Sequence, residues 1–213
     1  MARGTKLTLL SEAILCSLGL MAFSFFIHYK FTLQILAFAA LVMSGFIISR
    51  NLRSFSDLKK IINEHASIKI SLLYTFSGII AGALIAVMYR WHLDISLFPK
   101  SFHYFAIAAA LIGGVEELVF RGFIQEYVKN INGPFSILFS TISHTGYKCC
   151  LFLSPMVIGQ IDVGFLGLMT FLAGLIFGTI TFLSKNLLTA LAAHIIFDIL
   201  VYAECVSAPW WVW

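Results

Sequence analysis

The sequence predicts an all-α fold, a multi-pass bundle of transmembrane helices. Three observations carry that prediction. Hydrophobic residues make up 60% of the 213 and charged residues only 11%, against about 25% charged in an average soluble domain. The apolar residues gather in runs near the length of about 20 that a helix needs to cross a bilayer core. Short polar stretches separate the runs, and most of the charges collect there. A chain this apolar cannot cover a water-facing surface, which excludes a soluble globular enzyme, a disordered chain and a nucleic-acid binder. The length has room for about seven spans. They are expected to form a single integral membrane domain over residues 1–213.

The first span is expected at 9–27 and the second at 32–48. Arg3 and Lys6 precede the first run as in a signal peptide, but Glu12 interrupts it and no clean small-residue cleavage site follows. It therefore reads as a retained span. Residues 50–69 are polar and carry Arg50, Arg53, Lys59, Lys60 and Lys69, with Leu52, Phe55, Leu58, Ile61 and Ile62 at helical spacing. That pattern suits an amphipathic helix on an anionic leaflet, with an ordinary polar loop as the equal alternative.

The third span is expected at 70–88 and the fourth at 103–127. Asn132-Gly133-Pro134 then breaks the helix, Asn132 being placed to cap the next one with Pro134 in its first turn. The fifth span follows at 134–153, a loop at 155–164, the sixth at 165–183 and the seventh at 187–202. Trp210, Trp211 and Trp213 suit a membrane interface. Basic residues set the orientation. A cytoplasmic N-terminus places Arg3, Lys6, the basic residues of the 50–69 stretch, Lys129 and Lys185 inside, and Lys30, Arg90 and Lys100 outside. Cys16, Cys149, Cys150 and Cys205 show no metal or redox spacing and read as apolar thiols.

Ionisable groups inside spans are costly, so they are functional candidates by default. The fourth span holds Glu116, Glu117 and Arg121, the fifth His144, and the seventh His194 and Asp198. Glu117 and Arg121 are four apart and meet on one helix face, which lets both stay charged. Glu116 is turned about 100° away and is left to face something else. His194 and Asp198 also share a face. Lys148, one turn beyond His144, reads as a helix-end or cavity-lining cation. Measured from the cytoplasmic ends of their spans, Glu116 and His144 each lie about 15 Å deep and His194 about 10 Å deep. All three can share one cavity. Phe171, Gly174 and Gly178, with Gly167, allow close helix packing, or form a substrate groove where side chains are absent.

Such a set suits water activation. A buried glutamate is a general base for water, a neutral histidine can hold the same water, and a second histidine with a carboxyl partner can stabilise an oxyanion. The same residues suit zinc, with Glu116, His144 and His194 as ligands and an open position for water. The spacing leaves both open. Two other classes also stand: a non-catalytic membrane scaffold or immunity protein, and a small ion or metal transporter. The chain lacks the repeated halves and paired broken helices usual in a transporter.

The motifs resemble those of the CPBP intramembrane proteases, also called the Abi or type II CAAX prenyl endopeptidase family. The first motif is two glutamates, three residues and an arginine, met by Glu116, Glu117 and Arg121. The second is a phenylalanine four residues before a histidine; His144 is present, with Ser140 at the phenylalanine position and Phe139 beside it. Phe171, Gly174 and Gly178 meet the third. His194 and Asp198 meet the last, with Asp where the prenyl-protease branch commonly carries Asn. The match spans 113–198, roughly two-fifths of the chain.

The resemblance implies that Glu116 activates water with His144, that His194 and Asp198 form the oxyanion side, and that Glu117 and Arg121 support the site. It implies no resident cofactor, with zinc as the alternative. The implied partners are the lipid bilayer and a membrane-anchored peptide or protein substrate, lipidated or transmembrane. The implied location is a bacterial inner membrane.

Overall fold

A computed structural model describes residues 5–51, 61–62, 67–155 and 162–206. Most of the polar stretch 50–69, part of the 155–164 loop, and Trp210, Trp211 and Trp213 lie outside the described residues. The helices are α1 (Lys6–Phe26), α2 (Phe31–Asn51), α3 (Ile68–His92), α4 (Phe105–Glu117), a π-helical stretch (Leu118–Gln125), α5 (Glu126–Lys129), α6 (Gly133–Leu153), α7 (Val163–Ser184) and α8 (Leu188–Tyr202). Among the described residues there is no strand. The fold class is the all-helical membrane bundle that the composition predicts.

Among the described residues, four helices are long and apolar enough to cross a membrane: Lys6–Phe26, Phe31–Arg50, Ile68–His92 and Val163–Ser184. The expected fifth span forms as α6, but it buries Ser136, Ser140, Thr141, Ser143 and His144, and so is less apolar than those four. The expected seventh span forms as α8, whose 15 residues reach about 22 Å, short of a hydrocarbon core about 30 Å thick.

The expected fourth span differs in kind. One regular helix was predicted over 103–127; the helix instead widens from α to π directly after Glu117. Periodicity does not separate the two forms. Residues four apart stay close in both, and the apolar run Leu118-Val119-Phe120 carries no breaking or capping residue.

Local signals explain several boundaries. Asn132 caps α6 as expected, its Oδ1 accepting from the Phe135 N–H at 2.9 Å, with Pro134 in the first turn. Asp162 does the same for α7, accepting from the Phe165 N–H at 2.8 Å. Thr5 caps α1, accepting from the Thr8 N–H at 3.2 Å.

The chain divides into two compact units, each built from two separate stretches. The first takes Met1–Ile61 and Phe123–Leu175. Here α1 packs against α2 and α6. Gly19 permits the first contact, since a Cβ there would strike Ser44 Oγ and come 3.1 Å from the Ala40 carbonyl oxygen. Ser44 Oγ in turn donates to the Cys16 carbonyl at 3.2 Å. Across α1 and α6, Ser17 Oγ donates to Ser143 Oγ at 2.9 Å. Glu12, which interrupts the first apolar run, is buried and forms an ion pair with Arg50 at the end of α2.

The second unit takes Ile62–Gly122 and Ile176–Trp213. In it α8 packs against both α3 and α4. Gly82 of α3 lies against the Ala193 backbone, and a Cβ on Gly78 would stand 2.8 Å from the Thr189 carbonyl oxygen. Small residues let such backbones approach where lipid supplies no hydrophobic drive.

The α7–α8 turn is pinned by Asn186, whose side chain donates to Ser71 Oγ at 2.5 Å and accepts from the Leu188 N–H at 2.9 Å. At the far end of α3, Arg90 is fully buried. It donates to the Ser96 carbonyl at 2.6 Å, the Leu200 carbonyl at 2.9 Å, Ser96 Oγ at 3.1 Å and Glu204 Oε2 at 2.5 Å. Glu204 Oε1 also accepts from the Lys100 N–H at 2.8 Å. These hydrogen bonds, the one from Arg90 first, hold the Glu204 carboxyl below the ordinary carboxylate range.

Candidate active site

The second unit gathers five of the residues singled out from the sequence. Glu116 and Glu117 end α4, Arg121 follows in the π-helical stretch, and His194 and Asp198 come from α8. All five are buried.

Glu117 is the hub of the group. Its Oε2 lies 3.2 Å from Arg121 Nε, both side chains being 0% exposed. Its Oε1 lies 2.8 Å from His194 Nδ1. A carboxylate only accepts, so Nδ1 carries the proton of that bond. This fixes the imidazole ring and directs Nε2 to the opposite side. There Nε2 lies 3.6 Å from Asp198 Oδ2 and 4.0 Å from Glu116 Oε2. Phe177 and Phe197 flank the ring, their centroids 5.8 and 6.2 Å from its own. The ring is thereby oriented by one carboxylate and walled by two aromatics, while its second nitrogen faces two more carboxylates.

Three carboxylates, one imidazole and one guanidinium are gathered in one buried cluster. Burying ionisable groups together is costly, which is the usual mark of groups held for chemistry. The 4.0 Å between His194 Nε2 and Glu116 Oε2 is too long for a direct hydrogen bond. That separation is compatible with one oxygen atom hydrogen-bonded to both at about 2.8 Å.

The remaining predicted residues come from other helices. His144 is on α6 in the first unit and is 3% exposed. Ser140 and Ser143 on the same helix are buried as well. Phe171 and Gly174 belong to the first unit's part of α7, and Gly178 to the second unit's part. Lys148 Nζ stands 5.9 Å from the Tyr147 ring centroid. Among the described residues, no group of three or more His, Cys, Asp and Glu side chains is arranged to hold a metal ion. In the second unit, His194 Nδ1 is already engaged by Glu117.

Two features of the site were not read from the sequence. Glu117 was assigned only to Arg121; its bond to His194 joins residues 77 apart, a contact that spacing does not encode. Gly113 was not singled out. A Cβ there would strike Asp198 Oδ2 and stand 2.9 Å from His194 Cδ2. Its position one turn before Glu116 and Glu117, among alanines and isoleucine, was the available signal.

Residues 98–200 match the family model of Rce1-like proteins, the type II CAAX prenyl endopeptidases. The match runs from before α4 to within the last turn of α8 and so includes every motif residue from Glu116 to Asp198. No match was found among curated proteins or among solved structures. Over that stretch the chain is CPBP/CAAX-protease-like, as the motifs imply. The apolar helices and the matched family support an integral membrane protein, and that family is one of proteases acting on membrane-associated peptides or proteins.

Proposed function

We propose that this CAAX-protease-like membrane protein is an intramembrane endopeptidase that cleaves a membrane-anchored or lipidated substrate with water activated by Glu116. The observation that carries the reading is the orientation of His194 by Glu117, which leaves Nε2 facing Glu116 across 4.0 Å and Asp198 across 3.6 Å.

Each group then has one task. Glu116, together with His144, takes a proton from water as the oxygen attacks the scissile carbonyl carbon. The carbonyl π electrons move to oxygen, and His194, doubly protonated and held by Glu117 and Asp198, donates to that oxyanion. Glu116 returns the proton to the leaving amine as the C–N bond breaks, which regenerates the carboxylate. Arg121 keeps Glu117 ionised. Should zinc serve, Glu116, His144 and His194 would be its ligands, and it would supply a polarised water in their midst. Phe171, Gly174 and Gly178 would line the groove that takes the substrate. Asp198 in place of Asn favours a substrate other than a prenylated CaaX tail. The N-terminus is cytoplasmic in a bacterial inner membrane on this reading.

The test uses purified wild type, Glu116→Ala and His144→Ala on membrane-anchored peptides, with and without a chelator. Cleavage present in wild type and lost in both variants is the expected result. Activity surviving Glu116→Ala sinks the mechanism, and loss on chelation replaces it by the zinc form. A folded wild type that cleaves nothing favours the scaffold reading.

A further inference from the structure

We infer that Gly113 is a positioning residue, whose missing side chain is what lets α4 present Glu116 and Glu117 to His194 and Asp198. This rests on the proteolytic reading for its consequence in rate, but on packing alone for its geometry. A Cβ built on Gly113 would overlap Asp198 Oδ2 and come within 2.9 Å of His194 Cδ2 and 3.1 Å of His194 Nε2. His194 Nε2 is the atom that faces Glu116, and Asp198 Oδ2 lies 3.6 Å from that nitrogen. An alanine there has to move Asp198, the imidazole, or α4 itself.

α8 cannot yield easily. α3 also packs against α8, and a Cβ on Gly82 would meet the Ala193 backbone while one on Gly78 would meet the Thr189 carbonyl oxygen at 2.8 Å. Backbone, unlike a flexible side chain, has no rotamer to retreat into. The His194 ring is itself restrained by the 2.8 Å bond to Glu117 and by Phe177 and Phe197. The strain of a methyl at 113 therefore falls on the spacing of Asp198 and His194 from the end of α4. A displacement near 1 Å at reacting groups costs about 10²-fold in rate.

The adjacent glycine is the control that this inference needs. The nearest atom to a Cβ on Gly114 is Leu191 Cδ2 at 4.0 Å, an ordinary contact. Both positions lie in α4, and alanine is the better helix former at either. The two substitutions share chemistry and propensity and differ only in what the methyl meets.

The experiment compares Gly113→Ala with Gly114→Ala in the full chain. Thermal unfolding and the 15N imidazole signals of the histidines are recorded as pH is varied, and kcat and KM are measured on a membrane-anchored peptide. Gly113→Ala is expected to lower kcat about 10²-fold with KM little changed, and to move the His194 signals and their titration. Gly114→Ala is expected to leave both as in wild type.

Equal behaviour of the two variants, or wild-type kcat and His194 signals in Gly113→Ala, overturns the inference. A wild type without proteolysis defeats the functional reading instead, and the histidine signals still decide this one. Should Gly113→Ala not fold, Gly113→Ala/Asp198→Ala takes its place beside Asp198→Ala. Removing the Asp198 side chain should restore folding, and a double variant that stays unfolded overturns the inference.

Discussion

Two buried arginines in the second unit look alike by exposure and differ in what surrounds them. Arg90 donates to two backbone carbonyls, one hydroxyl and one carboxylate, and that carboxylate sits at a partly exposed edge with the Lys100 N–H on its other oxygen. Positive and negative charge match there. Arg121 shares Glu117 with His194, whose other nitrogen faces Glu116 and Asp198. Three carboxylates gather around one imidazole there. A buried ion whose acceptors are matched suits a structural tie, whereas buried carboxylates grouped around a histidine mark a candidate site for proton transfer. The difference separates a clamp from a candidate active site where burial alone does not.

Arg121→Met is expected to have the largest effect. It leaves Glu117 without its cation, costs about 3–5 kcal/mol of stability, and removes cleavage even in protein that remains folded. Denaturant titration and peptide cleavage on the same preparation check both parts. Folded Arg121→Met with wild-type kcat would erase the distinction drawn here.

Arg90→Met should cost a similar amount in stability, about 3–5 kcal/mol, while folded protein keeps its kcat. A fall in kcat without a fall in stability would move Arg90 into the site. Glu204→Gln is the gentler version of the same cut. The Glu204 pKa is lower in the folded chain than its ordinary value of 4.5. Its contribution to stability is therefore present above that value and is lost as pH falls through the depressed folded one. Wild type should lose stability in that acid range and Glu204→Gln should lose less, as read from thermal unfolding against pH. At the small end, Arg50→Ala breaks a pair with Glu12 in which Arg50 is 58% exposed, and should shift stability by about 1 kcal/mol or less.

Much of this was legible in the sequence because the bilayer makes charge rare. The helices stand close to the expected spans, and Asn132 and Pro134 announced the start of α6. Glu116, Glu117, Arg121, His194 and Asp198 were conspicuous as ions in apolar runs, and the two pairings four residues apart are present at 3.2 and 3.6 Å. What was not legible depends on contacts between helices or on backbone form. The Glu117–His194 bond, the place of Gly113, and the Arg90–Glu204 clamp each join segments distant in sequence. Arg90 read as a loop-end charge that sets orientation, although it is a buried tie between α3 and the end of α8. The π-helical stretch was hidden because four-residue spacing looks alike in both helix forms.

Everything proposed for the site turns on Glu116 activating a water for peptide hydrolysis. The most direct test of that step is cleavage of a membrane-anchored peptide in 18O-labelled water by wild type and Glu116→Gln, followed by mass spectrometry of the new carboxyl terminus. Wild type should give labelled product, and folded Glu116→Gln a rate lowered by about 10²–10⁴-fold. Labelled product formed by Glu116→Gln at the wild-type rate would contradict it.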